Sequence, residues 1–145
     1  MELGGPIMQT VKEIMTKNPA CCRPETSLVE VAKLMRDHDC GEIPVCEQDK
    51  PVGVVTDRDI VCRAIAQGKD ATSSTARECM SSPVVTLRPD TSVEDAVRTL
   101  EDSKIRRGLV VDERGRLIGI VAQADFATKS EEACTAELVK EVSRH

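Results

Sequence analysis

The sequence RPETSLVEVAKLM, which runs from Arg23 to Met35, returns as RPDTSVEDAVRTL from Arg88 to Leu100. Both copies keep the same proline, threonine and serine at an offset of 65 residues, so the chain contains an internal repeat. A unit of about 55 to 60 residues buries too little surface to be comfortably stable by itself. The two copies are therefore expected to pack together about a pseudo-twofold axis.

A second matching pair extends the repeat toward its end. GVVTDRDI from Gly53 to Ile60 corresponds to GIVAQADF from Gly119 to Phe126 at an offset of 66, which indicates one inserted residue in the preceding turn. The predicted organisation is an N-terminal tail (1–9), a first repeat (10–68), a linker (69–74), a second repeat (75–129) and a C-terminal helix or tail (130–145).

The composition argues against two kinds of partner. The 145 residues carry a formal net charge of −5, and the only adjacent basic pair is Arg106-Arg107, so no nucleic-acid surface is expected. No run approaches the ~18 apolar residues that span a bilayer. The N-terminus also lacks a basic region followed by an apolar run. We expect no membrane association and a cytoplasmic location.

Seven cysteines occur without a CxxC motif, and the two histidines do not complete a zinc set with them. The predicted state is buried, reduced thiols and no metal. Cys21 and Cys22 are adjacent in a predicted strand, where side chains alternate between faces, so they are poorly placed to bridge each other. A thiol redox sensor that uses Cys21, Cys22, Cys40 or Cys46 is the weakest of the functional alternatives.

The long helix of each repeat has the clearest local signals. Ser27 with Glu30 forms a capping-box pattern, and Ser92 with Asp95 is its near equivalent, so a helix is predicted to begin after each serine. Apolar residues then recur at i, i+3, i+4 and i+7, which predicts one buried face per helix. These residues are Leu28, Val31, Ala32 and Met35 in the first copy, and Val93, Ala96, Val97 and Leu100 in the second.

Shorter elements surround each long helix. Two apolar runs separated by a tight turn favour an antiparallel pair, and the strand before the long helix can pair in parallel with the strand after it. Each repeat is thus a β-α-β-β-α unit, and the predicted fold class is α/β (α+β). The predicted elements are helical turns at Val11–Met15 and Ala76–Met80, strands at Ala20–Cys22 and Val84–Leu87, strand pairs at Ile43–Cys46 with Val52–Thr56 and Leu109–Val111 with Leu117–Val121, and last helices from Asp57 to about Gln67 and from Gln123 to Thr128.

The order, spacing and duplication of these segments resemble the tandem CBS-domain (Bateman) module over about Thr10 to Thr128. The resemblance rests on IMTKNPACCRPETSLVEVAKLMRDHDCGEIPVCEQDKPVGVVTDRDI in the first copy and CMSSPVVTLRPDTSVEDAVRTLEDSKIRRGLVVDERGRLIGIVAQADF in the second. It implies clefts between the repeats that hold an adenosine-containing ligand, such as AMP, ADP, ATP or S-adenosylmethionine, with no catalytic cofactor. It also implies a flat homodimer.

The ribose motif of that family is Gly, two apolar residues, Thr or Ser, two further residues and Asp, and it is complete at Gly53–Asp59. The resemblance assigns Thr56 and Asp59 to the ligand, with Asp57 and Arg58 between them. A carboxylate can accept hydrogen bonds from both hydroxyls of a ribose, and a hydroxyl at a strand-to-helix junction can meet ribose or phosphate beside free amides. Alternatively, Thr56 or Asp57 only caps the helix and Asp59 only favours its dipole.

The base is expected near two further segments. The resemblance places Ile43 and Pro44 against it, and Ala20 and Cys22 on the strand that lines the adenine pocket, although core packing would equally explain these two. Several basic side chains are candidates for phosphate binding, but such side chains are usually only solvated. They are Lys17, Arg58, Arg63, Arg106 and Arg107.

The second copy departs from the motif. It keeps the carboxylate as Asp125, but Ala122 lacks the hydroxyl, and Gly108-Leu109 replaces the apolar-Pro pair. We therefore expect a second site that binds more weakly or differently.

No glycine-rich phosphate loop or nucleophile-base pair is present, so the chain is not expected to be an enzyme. The leading hypothesis is a stand-alone regulatory CBS pair that signals to a protein partner in trans. The alternative is a dimeric adaptor or structural protein whose nucleotide site is degraded.

Overall fold

The computed structural model describes residues 9–82 and 84–126. Most of the predicted N-terminal tail, the C-terminal helix expected over residues 130–144, and the last helix beyond Phe126 lie outside the described residues. The elements are α1 (Val11–Ile14), β1 (Thr16–Lys17), α2 (Leu28–His38), β2 (Glu42–Glu47), β3 (Lys50–Thr56), α3 (Asp57–Ile60), a π-helix (Val61–Ile65), α4 (Ala76–Cys79), β4 (Thr86–Leu87), α5 (Val93–Ser103), β5 (Arg107–Val111), β6 (Leu117–Ala122) and α6 (Gln123–Asp125). This mixture confirms the predicted α+β class.

The chain divides into two compact units that exchange their opening segments. Of the described residues, the α2 unit comprises 18–82, 84 and 114–117, whereas the α5 unit comprises 9–17, 85–113 and 118–126. The helical turn that opens each sequence repeat therefore packs in the unit formed mainly by the other repeat. Nothing in the local sequence of α1 or α4 indicates this exchange.

In the α2 unit, β2 and β3 pair in antiparallel fashion, as predicted, with Ile43 opposite Val55. The predicted strand Ala20–Cys22 is shorter than expected, because only Cys22 pairs, through a parallel bridge to Val45. Prolines lie on both sides of this segment, and proline has no amide to donate to a ladder. The parallel crossover around α2 is thus present but rests on one bridge.

The α5 unit has a four-stranded sheet in the order β1–β6–β5–β4. The strand β4 runs parallel to β5, with Thr86 opposite Leu109, as the crossover pattern predicted. The edge strand β1 was not predicted. It has two exposed residues and pairs with β6 through Thr16 and Ile120, so no apolar alternation marks it in the sequence.

Each unit has its own hydrophobic core, built on the long helix. Leu28, Val31 and Met35 of α2 are buried as predicted. The prediction for Ala32 is wrong, since it is exposed and Leu34 packs partly against the core instead. The helix is therefore rotated slightly toward Leu34. In α5, Ala96 and Leu100 are buried, while Val93 and Val97 pack against them at the margin of the core.

The predicted helix starts are confirmed by side-chain caps. Ser27 Oγ accepts a hydrogen bond from the Glu30 amide at 3.2 Å, and Ser92 Oγ accepts one from the Asp95 amide at 3.1 Å. The Glu30 carboxylate contacts exposed Lys33 at 3.3 Å. Such an exposed ion pair contributes little to stability. The serine hydroxyl is therefore the main local signal that fixes where the helix begins.

Candidate functional site

The ribose motif lies at the junction of β3 and α3, where Thr56 is the helix N-cap. The Asp59 amide donates to Thr56 Oγ1 at 3.0 Å, and the Thr56 amide donates to Asp59 Oδ2 at 3.0 Å. This is a complete capping box, which satisfies two amides that the helix leaves without intrahelical partners. The capping role that the sequence left open is therefore observed, and it uses the same two residues as the proposed ligand contacts.

The second oxygen of Asp59 faces Arg63. Asp59 Oδ1 lies 3.8 Å from Arg63 Nε, and the Asp59 side chain is only 14% exposed. Arg63 Nη1 also donates to the backbone carbonyls of Cys79 and Met80, each at 3.2 Å. Arg63 thus ties the end of α4 to the motif carboxylate. The spacing i, i+4 from Asp59 is the one sequence signal for this pair.

The first turn of α3 offers no free amide among Asp57, Arg58 and Asp59. The Asp57 amide donates to the Gly41 carbonyl at 3.0 Å, and the Arg58 amide donates to Asp57 Oδ1 at 2.7 Å. The Asp57 carboxylate also lies over Gly41, where an added Cβ would be 2.9 Å from Oδ2. The expectation of free amides at this turn is therefore wrong, because side chains of the motif already occupy them. The side chains of Asp57 and Arg58 are exposed.

The motif glycine has a packing role. A Cβ on Gly53 would lie 2.9 Å from Cγ of Met80, and a Cβ on Gly119 would meet the side chain of Met15 in the same way. Met80 and Met15 follow α4 and α1, the two exchanged turns. A glycine at this strand position lets the exchanged turn approach the strand closely.

The residues expected near the base are brought together with the motif in the α2 unit. The Cys22 amide donates to the Pro44 carbonyl at 2.9 Å, and β2 lies beside β3 with Pro44 opposite Val54. Cys22 and Ile43 are buried in the core of this unit, and Ala20 packs against that core. Pro44 is also buried. Core packing therefore accounts for the positions of Cys22 and Ile43.

The junction of β6 and α6 repeats half of this arrangement. The Ala122 amide donates to Asp125 Oδ2 at 3.0 Å, as Thr56 does to Asp59, but position 122 has no hydroxyl to complete the box. The Gln123 amide donates to the Arg106 carbonyl at 2.8 Å, the counterpart of the bond from Asp57 to Gly41. The second copy therefore keeps the backbone of the junction and its carboxylate.

The loss of the apolar-Pro pair has a packing reason. A Cβ on Gly108 would lie 2.9 Å from Cδ1 of Leu87 and 3.1 Å from Cδ2 of Leu100. In the first copy the corresponding positions are Ile43, Cys22 and Met35, all buried. Leu87, which is larger than the corresponding Cys22, thus fills the space that Ile43 fills in the first copy. Gly108 has no side chain and leaves room for Leu87.

The prediction that the cysteines are buried is wrong for three of those described. Cys22, Cys46 and Cys79 are buried, whereas the exposed thiols belong to Cys21, Cys40 and Cys62. Burial, with the neighbouring Cys21 thiol, raises the pKa of Cys22 to about 11 and that of Cys46 to about 12. Among residues 9–82 and 84–126, no three His, Cys, Asp or Glu side chains are placed to hold a metal ion.

Comparison with known proteins places both copies in one family. The model of the CBS domain matches residues 11–64 and 76–132. The CBS domain-containing protein YhcV of Bacillus subtilis is 42% identical over 120 residues, which cover 83% of this chain and 84% of the relative. The chain spans between 60% and 94% of the length of four curated relatives that it matches. In the described part of the chain, no helix has the length and apolar character to cross a membrane.

Two solved structures of similar proteins contain adenosine compounds. The CBS domain pair of protein MJ0100, in complex with 5-methylthioadenosine and S-adenosyl-L-methionine, is 29% identical, has a TM-score of 0.78, and is matched over 88% of this chain and 99% of that one. CBSX2 in complex with AMP is 28% identical, has a TM-score of 0.74, and is matched over 87% and 99%.

Proposed function

Because the chain belongs to the CBS-domain family, we propose that it is a regulatory module that binds an adenosine-containing ligand at the β3–α3 junction of the α2 unit. The ligand class is AMP, ADP, ATP or S-adenosylmethionine. The observation that carries the proposal is the pairing of Thr56 and Asp59 on one turn, in a complete family motif. The adenosine compounds in the two similar structures support the same ligand class.

The capping box is compatible with ligand binding. An ionised carboxylate has about four acceptor positions on its two oxygens, and the Thr56 amide uses one of them. Asp59 Oδ1 is 3.8 Å from Arg63 Nε, which is longer than a charge-assisted hydrogen bond. This oxygen can therefore accept from a ribose hydroxyl. The Thr56 hydroxyl accepts from the Asp59 amide and keeps its own O–H to donate.

Unequal sites are the second part of the proposal. The β6–α6 junction retains Asp125 but has Ala122 in place of the threonine, so a ligand loses the hydroxyl contact there. Loss of one hydrogen bond to a bound ligand weakens affinity by about two- to tenfold, since it removes roughly 0.5–1.5 kcal/mol. The first junction is therefore the stronger site.

Signalling requires that the ligand bind two states of the protein unequally, because a ligand shifts an equilibrium only by its differential affinity. We propose that this output acts in trans on a protein partner, from a homodimer. The exposed apolar residues Val61 and Ile65 lie on the π-helix after the motif, at 52% and 60% exposure. They are available for the dimer contact. The chain is proposed to bind rather than to catalyse, and the cytoplasmic location stays a prediction.

The proposal is tested by thermal stabilisation of the full chain against AMP, ADP, ATP, S-adenosylmethionine and, as a non-adenosine control, GTP. A ligand at about 100 times its dissociation constant adds about 2.7 kcal/mol to stability. The chain has no Trp and no Tyr, so an extrinsic dye is needed. Selective stabilisation by one adenosine ligand supports the proposal, and stabilisation by none of them contradicts it.

A second candidate is an adaptor that has kept the fold without the ligand. The observation that favours it is that the side chains of Thr56, Asp57 and Asp59 all accept hydrogen bonds from backbone amides of the protein itself. An adaptor would remain a dimer and keep its partner whether or not adenosine compounds are present. A partner interaction that is unaffected by every ligand in the panel would therefore favour this candidate.

A further inference from the structure

Arg63 lies between the motif carboxylate and the end of α4, and its side chain contacts both. Its Nε is 3.8 Å from Asp59 Oδ1, and its Nη1 donates to the carbonyls of Cys79 and Met80, each at 3.2 Å. A guanidinium carries five N–H donors in a rigid planar fork, so one arginine can serve several acceptors at once. The arginine is therefore a physical connection between these two parts of the α2 unit.

The carboxylate is held in place on the motif side of this connection. The Asp59 side chain is 14% exposed, and its Oδ2 accepts a hydrogen bond from the Thr56 amide at 3.0 Å. With one oxygen fixed, the plane of the carboxylate determines where Oδ1 points, and Oδ1 faces Arg63. A group that binds to Oδ1 therefore acts directly on the partner of the arginine.

The other side of the connection is the end of α4. The Met80 amide donates to the Ala76 carbonyl at 2.8 Å, and Ser81 and Val54 exchange two backbone hydrogen bonds of 2.8 and 3.1 Å. The chain passes from the α2 unit to the α5 unit between residues 84 and 85. Arg63 thus holds the segment that comes shortly before the chain leaves the α2 unit.

The beginning of α4 has separate anchors. The Ala76 amide donates to the Thr26 carbonyl at 2.8 Å, and the Arg77 amide donates to the Pro24 carbonyl at 3.0 Å. Neither bond involves Arg63 or the motif. The amides at the two ends of this short helix can therefore be compared within one molecule.

We propose that Arg63 is a positioning residue that links the motif carboxylate to the end of α4. A change in the contacts of Asp59 Oδ1 changes how firmly Arg63 holds the carbonyls of Cys79 and Met80. The ligand step of this inference rests on the proposed function: a ribose that donates to Oδ1 fixes the carboxylate further and so protects the end of α4. Because such coupling is reciprocal, a weaker hold on α4 also weakens the binding of the ligand.

The exposure of Arg63 limits the size of the effect. Its side chain is 49% exposed, so solvent screens its attraction to Asp59. An ion pair of this kind changes a local opening equilibrium by about two- to fivefold. Replacement of Arg63 also removes the bonds to the two carbonyls, so its effect is expected to be larger.

The first test needs no ligand and uses amide hydrogen exchange of the full chain, measured by NMR. The amides of Met80 and Ser81 report on the end of α4, and those of Ala76 and Arg77 report on its beginning. Asp59→Asn keeps a carbonyl oxygen for the cap amide but removes the charge that faces Arg63. We expect exchange about two- to fivefold faster at Met80 and Ser81, with no change at Ala76 and Arg77.

A second background shows whether the effect passes through the arginine. In Arg63→Gln, Asp59→Asn should cause no further change at Met80 and Ser81. Arg98→Gln removes an exposed arginine of the α5 unit and should leave these amides unchanged. The link is overturned if Asp59→Asn does not alter exchange at Met80 and Ser81, or if it accelerates exchange equally in the Arg63→Gln background.

The ligand step is tested by repeating the measurement with AMP and with S-adenosylmethionine. A bound compound should slow exchange at Met80 and Ser81 more than at Ala76 and Arg77. Arg63→Lys keeps a charge beside the carboxylate but lacks the planar fork, so it should retain binding and lose this difference.

The outcomes separate the inference from the proposed function. If a compound binds and the difference between the two ends of α4 is the same in Arg63→Lys as in the wild type, transmission through Arg63 is overturned while the proposed function stands. If the wild type binds neither compound, the proposed function and the ligand step both fail. The ligand-free comparison then still decides whether Arg63 links Asp59 to the end of α4.

Discussion

Thr56 and Asp59 hold each other through two hydrogen bonds of 3.0 Å, one from each amide to the side chain of the other residue. The residues proposed to bind the ligand therefore also determine where α3 begins. A variant at either position changes helix stability as well as affinity. Binding must consequently be measured directly, and the contribution of the cap must be measured separately.

The second junction provides a matched test of the cap. Thr56→Ala should lower the free energy of unfolding by about 1 kcal/mol, within the 0.5–2 kcal/mol range of lost N-caps. Ala122→Thr should raise it, because the added hydroxyl can accept from the Asp125 amide as Thr56 accepts from Asp59. Urea unfolding followed by far-UV circular dichroism measures both. A destabilising Ala122→Thr would show that the two junctions are not equivalent.

The close approach of Met80 to Gly53 predicts a coupled pair. Gly53→Ala places a Cβ 2.9 Å from Met80 Cγ, so the methionine or the strand must move, at a cost of about 1–3 kcal/mol. In a Met80→Ala background the same glycine substitution should cost clearly less. A double-mutant cycle measures this coupling. Strictly additive costs would mean that the contact does not constrain position 53.

The compensation between positions 87 and 108 predicts a second coupling. Gly108→Ile should destabilise the α5 unit by about 1–3 kcal/mol, because its side chain would enter the space of Leu87 and Leu100. Leu87→Cys restores the first-copy combination and should recover part of that loss. The free energies of unfolding of the single and double variants measure this recovery. A double variant less stable than either single one would contradict the compensation between positions 87 and 108.

The raised pKa values of two buried thiols predict that the protein loses stability at alkaline pH. The pKa values of Cys22 and Cys46 are raised by burial, so the unfolded chain releases these protons at lower pH than the folded chain. The stabilisation is therefore complete below the unfolded pKa and is lost as pH rises toward about 11 and about 12. Between about pH 8 and pH 10 the loss should be about 1 kcal/mol per thiol.

The measurement is urea unfolding at both pH values with a reductant present. Cys22→Ala should flatten the pH dependence, whereas Cys62→Ala, at an exposed thiol, should leave it unchanged. The same slope in all three proteins would mean that the buried thiols are not its source.

Local patterns predicted the helices and the main strands because these elements carry their own signals. The i, i+3, i+4 spacing of apolar residues fixed the buried faces of α2 and α5, apart from Ala32, where the core selects Leu34. The strand β1 and the exchange of α1 and α4 were not predicted. They depend on contacts between segments about 50 to 100 residues apart, which the local pattern of a short segment does not encode.

The candidate site was predicted from the motif, but its internal bonds were not. The spacing of Thr56 and Asp59 implied one helical turn, and the capping box follows from it. The role of Arg63 depends on carbonyls of Cys79 and Met80, which only the fold brings near. The glycine at 108 likewise has a reason only once Leu87 is seen beside it.

The most direct test of the central claim is a calorimetric titration of AMP and of S-adenosylmethionine into the wild type, Asp59→Asn and Asp125→Asn. Asparagine keeps a carbonyl for the cap amide but removes the charge and one acceptor oxygen. We expect Asp59→Asn to abolish the stronger binding event and Asp125→Asn to leave it unchanged. Equal losses in the two variants, or wild-type binding that survives Asp59→Asn, would contradict an adenosine site at the first junction.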